Sequence, residues 1–254
     1  MTDSVLTDFA AGVAVITINR PEARNAIDRD TAQGIADAID QVDSRPDVAV
    51  AILTGAGGTF CAGMDLKAFV RGENPVIRGR GFGGITEKPP SKPLIAAVEG
   101  WALAGGFELV LSADLVVASR ESSFGIPEVK RGLVAAAGGL LRLPKTLPYQ
   151  LAMEIALTGD PLTAETAHRH GVVNVLTEPG HALEGARRLA ERIAANAPLA
   201  VRATKEIVGH AVGWNAQDSF RAQAEAVKQV LTSQDAREGA RAFAEKRPPV
   251  WQGR

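Results

Sequence analysis

Gly105 and Gly106 open the run Gly-Gly-Phe-Glu-Leu-Val-Leu-Ser, which leads from a turn into an apolar helix. The first N–H groups of a helix have no partner inside it, and glycine there puts no side chain in the way of an approaching oxygen. Such a start suits a ligand oxygen that carries or develops negative charge. Glu108 follows within the first helical turn, and Glu128 comes after a short strand and a Gly-Ile-Pro turn, a layout that can bring two carboxylates to one cavity. A second glycine-broken loop, Gly57-Gly58-Thr59-Phe60-Cys61-Ala62-Gly63-Met64, also runs from a strand into a helix. The Met64 N–H is therefore a second donor at a helix N-terminus.

The rest of the chain gives these loops their frame. Val5 to Phe9 and Val13 to Asn19 are β-branched runs separated by Ala-Ala-Gly, which predicts a hairpin. From Thr31 to Val42, Ile35, Ala38, Ile39 and Val42 recur at helical spacing, with Asp28 or Asp30 as the cap. Wholly apolar strands follow at Val48–Leu53, Leu94–Val98 and Leu115–Ala118, alternating with helices from Asp65 and from Gly105. The result is an α/β pattern with no detectable sequence repeat. Gly72 to Pro90, rich in glycine and proline, reads as a loop. Beyond Gly138 the chain reads as a helical tail, with helices at Met153–Leu157, Ala164–His168, Leu183–Ile193, Leu199–Val208, Asp218–Leu231 and Ala236–Glu245, punctuated by prolines. Amphipathic, alanine-rich helices of this kind suit packing on a core or on a second subunit.

Composition limits the partners. The 254 residues, 46% of them hydrophobic, are enough for one sizeable α/β core and a helical appendage. A net charge of −1 gives no electrostatic footprint for nucleic acid or an anionic membrane. No apolar run reaches the roughly 18 to 20 residues of a membrane span. The single cysteine, Cys61, excludes an internal disulfide, and the first residues lack a basic-then-apolar leader, so the expected compartment is the cytoplasm.

Three spaced motifs, Phe60-Cys61-Ala62-Gly63-Met64-Asp65-Leu66-Lys67, Gly100-Trp101-Ala102-Leu103-Ala104-Gly105-Gly106-Phe107-Glu108 and Phe124-Gly125-Ile126-Pro127-Glu128, resemble in order and spacing those of the crotonase (enoyl-CoA hydratase/isomerase) superfamily. The likeness begins at Asn19-Arg20-Pro21-Glu22-Ala23-Arg24-Asn25-Ala26, similar to the family's coenzyme A segment, and extends to Phe243-Ala244-Glu245-Lys246-Arg247. It implies a spiral of β-β-α turns over residues 1–195 carrying an acyl-CoA site, and a helical oligomerisation region over 196–254. It also implies a trimer or a dimer of trimers. Met64 and Gly105 fall where family members place the two amides that grip the thioester oxygen, and Glu108 and Glu128 where hydratases place their catalytic carboxylates. Ala23, Arg24, Ala26, Ala62, Asp65, Leu66, Lys67, Trp101, Gly106 and Pro127 fall on substrate and coenzyme positions. The implied reaction is reversible addition of water to a trans-2-enoyl-CoA, giving a 3-hydroxyacyl-CoA, with coenzyme A as part of the substrate and no separate cofactor.

Other readings compete at particular residues. Without the motifs, Glu108 reads as a residue complementing its own helix dipole and Glu128 as a surface group. Paired carboxylates also serve glycoside hydrolysis, but that chemistry has no use for two oxyanion amides, and only 5% of the chain is aromatic. Some members of the superfamily are isomerases and some bind RNA; the second role needs a basic stripe, of which the sequence gives little sign. Three stretches, Gly105–Asp114, Gly138–Pro148 and Ala242–Arg254, most resemble the crotonobetainyl-CoA hydratase branch. Ala135-Ala136-Ala137 departs from that branch, which has Pro-Asp-Ser there, so an acidic group facing a quaternary ammonium is missing; Trp101, Phe82 and Phe69 remain as π-faces. His168 and His170 have ligand-like spacing but no third ligand nearby, so no metal site is expected.

Overall fold

A computed structural model describes residues 3–211, 213–215 and 218–254. In chain order the elements are β1 (Val5–Ala10), β2 (Val13–Ile18), α1 (Arg29–Ser44), β3 (Val50–Gly55), α2 (Leu66–Val70), β4 (Val76–Ile77), β5 (Gly81–Phe82), β6 (Leu94–Val98), β7 (Trp101–Leu103), α3 (Gly105–Val110), β8 (Leu115–Ser119) and β9 (Ser123–Gly125). They continue as α4 (Gly139–Thr146), α5 (Tyr149–Thr158), β10 (Leu162–Thr163), α6 (Ala164–Arg169), β11 (Val175–Thr177), α7 (Ala182–Ala194), α8 (Pro198–Ala211), α9 (Ser219–Leu231) and α10 (Gln234–Glu245). Two 3₁₀ turns, Pro21–Ala23 and Pro127–Arg131, complete the set.

The predicted hairpin is β1–β2, turned by Ala11 and Gly12, both at positive φ, which matches the twist of the flanking strands. From β2 onward the main sheet is parallel, in the order β1-β2-β3-β6-β8-β11. A parallel sheet is stable only with both faces covered, which is why its strands read as unbroken apolar runs. One face, with Val13, Val15, Val50, Ile52, Ile95, Ala97 and Val117, packs on Ala186 and Ala190 of α7. The other, with Ala14, Ile16, Leu53, Ala96, Val98 and Ala118, meets Ile35 and Ile39 of α1 and the buried rings of Phe60, Phe107 and Phe124. Asp28 caps α1 by accepting from the Thr31 N–H.

A small second sheet sets the position of three helix starts. β7 runs parallel to β9, β9 pairs antiparallel with β10, and Cys61 bridges to Ala102 beside them. Three successive turns of chain therefore repeat one path: main-sheet strand, a few residues in the second sheet, then the start of a helix. They are β3, Cys61, α2; β6, β7, α3; and β8, β9, the 3₁₀ turn at Pro127. Each helix starts at the same edge of the stack.

Several elements depart from the expectation. The region beyond Gly138 is not wholly helical: β10 belongs to the second sheet and β11 closes the main one. Residues 139–146 form α4, which contains Pro144. The 72–90 segment is partly a built structure, with the hairpin β4–β5 and with Phe82, Ile85 and Thr86 buried. No helix among the described residues is long and apolar enough to cross a membrane. At the C-terminal end α8 and α9 bury no residue, and Val208, Phe220, Leu231 and Phe243 are exposed.

Candidate active site

The first helix start is held by a polar clamp. Asp65 caps α2, accepting from the Lys67 and Ala68 N–H groups, and pairs with Arg20 Nη2 at 3.0 Å. The same guanidinium reaches Asp28 at 3.0 Å and the Ala26 carbonyl. Burial alone raises the Asp65 carboxyl's pKa, but the Ala68 amide and Arg20 outweigh it and hold it below its usual range. Asn25, fully buried at φ 56°, donates to the carbonyls of Ala56 at 2.8 Å and Thr59 at 2.6 Å, tying the 20–26 segment to the loop that leaves β3. Ile27 N–H donates to Gly63 O and Asp65 N–H to Ile27 O, so the intervening Met64 N–H points away from this bridge.

The second helix start lies directly against the first. A Cβ on Gly63 would stand 3.2 Å from the Gly105 nitrogen and 2.8 Å from Ala104 Cβ. A Cβ on Gly106 would stand 2.2 Å from the Cys61 carbonyl oxygen, which is the physical reason for glycine there. Ala104 turns the chain from β7 into α3 at φ 52°, ψ −128°, a costly conformation for alanine, and its N–H is fixed on the Gly125 carbonyl. Among the described residues, neither the Met64 nor the Gly105 N–H donates to any group of the chain. Two free donors from adjacent helix starts thus stand side by side. Cys61, between them, is inert: burial pushes its thiol up to about 12, and its Sγ accepts from the Gly63 N–H.

The two glutamates differ in how they are held. Glu108, 3% exposed, accepts at Oε1 from the Ala137 and Gly139 N–H groups, both at 2.8 Å, and among the described residues makes no hydrogen bond at Oε2. Burial raises its pKa, opposed by these two amides and by Arg142. Glu128 sits in the 3₁₀ turn that ends the third repeat. Burial pushes its carboxyl up to about 7; its own amide pulls against this and the charge of Glu108 adds to it. Its Oε2 is buried and has no hydrogen-bond partner among the described residues. Each carboxyl group therefore keeps one oxygen uncommitted beside the free amides' edge of the stack.

The remaining predicted residues fall on this edge or next to it. Ala23 is half-buried, Ala26 buried and Arg24 exposed at φ 52°, its carbonyl taking the Ala62 N–H. Leu66 and Lys67 are exposed on α2, Trp101 is exposed on β7, Gly106 is buried in α3, and Pro127 opens the 3₁₀ turn. Phe82 is not available as a π-face, being buried against Gly105; Phe69 and Trp101 are exposed. His168 Nδ1 lies 2.8 Å from the Val173 carbonyl, and no cluster of three metal-ligating side chains occurs among the described residues. Sequence reasoning missed the roles of Arg20 and Asn25, and of the 137–139 turn and Arg142. The pair Gly138-Gly139, which repeats the signature of Gly105-Gly106 at a helix start, was the available signal for the turn.

The architecture is the crotonase fold, a spiral of strand-strand-helix turns. A solved enoyl-CoA hydratase from Mycobacterium marinum superposes with a TM-score of 0.98 at 59% identity, covering 99% of this chain and 100% of that one. Carnitinyl-CoA dehydratase of Salmonella heidelberg (strain SL476) is 43% identical over 262 aligned residues, with both chains covered completely. A solved carnitinyl-CoA dehydratase from Mycobacterium avium 104 is 45% identical with a TM-score of 0.79, both chains again covered completely. Residues 8–254 match the family model described as enoyl-CoA hydratase/isomerase, and the chain belongs to that family.

Proposed function

We propose that this chain is a hydro-lyase that adds water reversibly to the double bond of a trans-2-enoyl-CoA, giving the 3-hydroxyacyl-CoA. The observation that carries the reading is the pairing of two helix-start amides with no partner among the described residues with two carboxyl groups, the buried Glu108 and the half-buried Glu128, each with a free oxygen. The thioester oxygen sits between the Met64 and Gly105 N–H groups, which stabilise the charge that builds there as water attacks; losing one such donor typically costs about 10²- to 10³-fold in rate. Glu108, whose raised pKa from burial is opposed by the Gly139 and Ala137 amides and by Arg142, takes a proton from water at Oε2 as the water oxygen bonds to the β-carbon. Glu128, the more readily protonated of the two, delivers its proton to the α-carbon, and the enolate collapses to the thioester. The reverse sequence is dehydration. Exposed Arg24 and Lys67 suit the coenzyme's phosphates, and no cofactor beyond the substrate's own coenzyme A is needed.

The alternative substrate is a betainyl-CoA, favoured by the full-length similarity to carnitinyl-CoA dehydratases. Against it, Ala135 to Ala137 present no acidic side chain, and the turn serves Glu108 only through its main chain. The exposed apolar residues of α8 to α10 support association through residues 196–254, as a trimer or a dimer of trimers, with residues 1–195 carrying the site. A cytoplasmic location accords with this chemistry. The test is spectrophotometric hydration of crotonyl-CoA beside longer enoyl and betainyl thioesters, with Glu108→Gln and Glu128→Gln. Each substitution is expected to lower kcat by about 10²- to 10⁴-fold, and the double change by much less than the product. Near wild-type turnover by either single variant would overturn the assignment.

A further inference from the structure

Arg142 lies in none of the motifs that define the site, yet its contacts converge on it. It projects from α4, three residues beyond Gly139, the second of the two amides that hold Glu108. Nη2 donates to the Thr86 carbonyl at 2.6 Å and Nη1 to the Ala137 carbonyl at 3.4 Å. Ala137 is thus gripped at its carbonyl by Arg142 while its N–H holds Glu108 Oε1. Gly138, at φ 97°, passes so close that a Cβ there would stand 2.2 Å from Nη1, so the guanidinium packs directly on the turn it braces. Thr86 belongs to the segment that lays Phe82 on Gly105. One side chain therefore links the segment covering the second helix start to the turn that fixes the carboxylate.

We propose that Arg142 is a positioning residue for Glu108: it locks the 137–139 turn so that Oε1 stays anchored and Oε2 faces the attacking water, and its charge favours the ionised carboxylate. This rests on the reading of Glu108 as the base. Guanidinium remains charged even when buried, and burial lowers the Arg142 pKa while Glu108 raises it, the reciprocal of its effect on Glu108. Among the described residues, the ionisable groups whose charge acts on or is felt by Glu108 are Arg142 from α4 and Glu128 from the 3₁₀ turn, and of these Arg142 is positive.

The experiment is the pH dependence of kcat/KM for crotonyl-CoA hydration, together with kcat and KM at neutral pH, for wild type, Arg142→Gln and Arg142→Lys. Hydration requires Glu108 ionised, so losing the positive charge moves the acid limb up by about one pH unit. Arg142→Gln is expected to lower kcat about 10- to 100-fold with KM within about threefold, the pattern of a lost transition-state interaction. Arg142→Lys keeps the charge without the two-pronged grip, so its acid limb returns toward wild type while kcat recovers only in part. An acid limb unmoved in Arg142→Gln overturns the inference; should that variant fail to fold, a lysine variant with wild-type kcat overturns it equally. A wild type that hydrates no enoyl thioester removes the functional reading and this inference with it, whereas an active wild type with an unmoved limb removes only the inference.

Discussion

Gly105→Ala tests the amide arrangement without touching a side chain that has chemistry. The backbone at Gly105 is ordinary helix, so alanine is conformationally acceptable and, by propensity, favoured by about 1 kcal/mol. The obstacle is Phe82: a Cβ would stand 2.5 Å from its Cε1 and Cζ, where ordinary contact begins at 3.4 Å. Ring or helix start must yield by roughly 1 Å, an overpacking that typically costs about 1–3 kcal/mol. Phe82 is buried in the short hairpin, so part of the displacement falls on the helix start and moves its N–H relative to that of Met64. A misplacement of about 1 Å is worth about 10²-fold in rate. The expected result is kcat for crotonyl-CoA hydration lower by about 10²-fold, with a reduced Tm. Phe82→Leu shortens the obstructing side chain, so Gly105→Ala/Phe82→Leu should recover much of the turnover, giving a coupling energy above about 1 kcal/mol in a double-mutant cycle. Turnover within threefold of wild type in Gly105→Ala, alongside a lowered Tm, would show that the helix start was disturbed without consequence and would refute the role of that amide.

The raised pKa of Glu128 gives opposite pH limbs for the two directions of reaction. With Glu128 as the proposed acid of hydration, kcat/KM should fall as pH rises through about 7; in dehydration the proposed role needs it ionised, so kcat/KM should fall as pH drops through the same region, and initial rates from each side check this. The same shift affects stability: because the folded pKa lies above the unfolded value of 4.5, the group's contribution is present below that value and is lost as pH rises through about 7. Thermal melts should show Glu128→Gln gaining on wild type between pH 5 and pH 8 by on the order of 1 kcal/mol, after allowing for the water that still reaches the carboxyl. Asp65→Ala removes the α2 cap and one partner of Arg20, at an expected loss of about 1–2 kcal/mol by denaturant titration, with faster amide exchange at Lys67 and Ala68.

The sequence carried α1, β6 and the helix starts because each has a local signal: apolar spacing with an aspartate cap, an unbroken apolar run, or a glycine pair after a strand. It did not carry β7, β9 and β11, which are three residues each and gain their identity only from neighbours far along the chain. Pro144 concealed α4, since a proline within a short apolar segment argues against the helix that tertiary packing nonetheless holds. The 72–90 segment looked like a loop because its glycines serve close approach; a Cβ on Gly84 would stand 2.4 Å from the Ala32 carbonyl of α1. At the site, both glutamates and both amides were readable as candidates. The hold on Glu108 was not, because its donors are main-chain groups of Ala137 and Gly139, which leave no mark in side-chain identity.

The alignment of helix starts at one edge of the stack divides the machinery into an inherited part and an editable part. The donors proposed for the thioester belong to the backbone; short of proline, no substitution at Met64 deletes its N–H. The proposed proton carriers are two ordinary side chains, removable by a one-letter change. Glu108→Gln or Glu128→Gln is thus expected to leave a protein that still grips and polarises an acyl thioester but cannot turn it over. Such a variant is a trap: incubated with a cell's acyl-CoA pool and recovered under native conditions, it should retain the thioester that fits best, and mass spectrometry of what it holds would identify the acyl group directly.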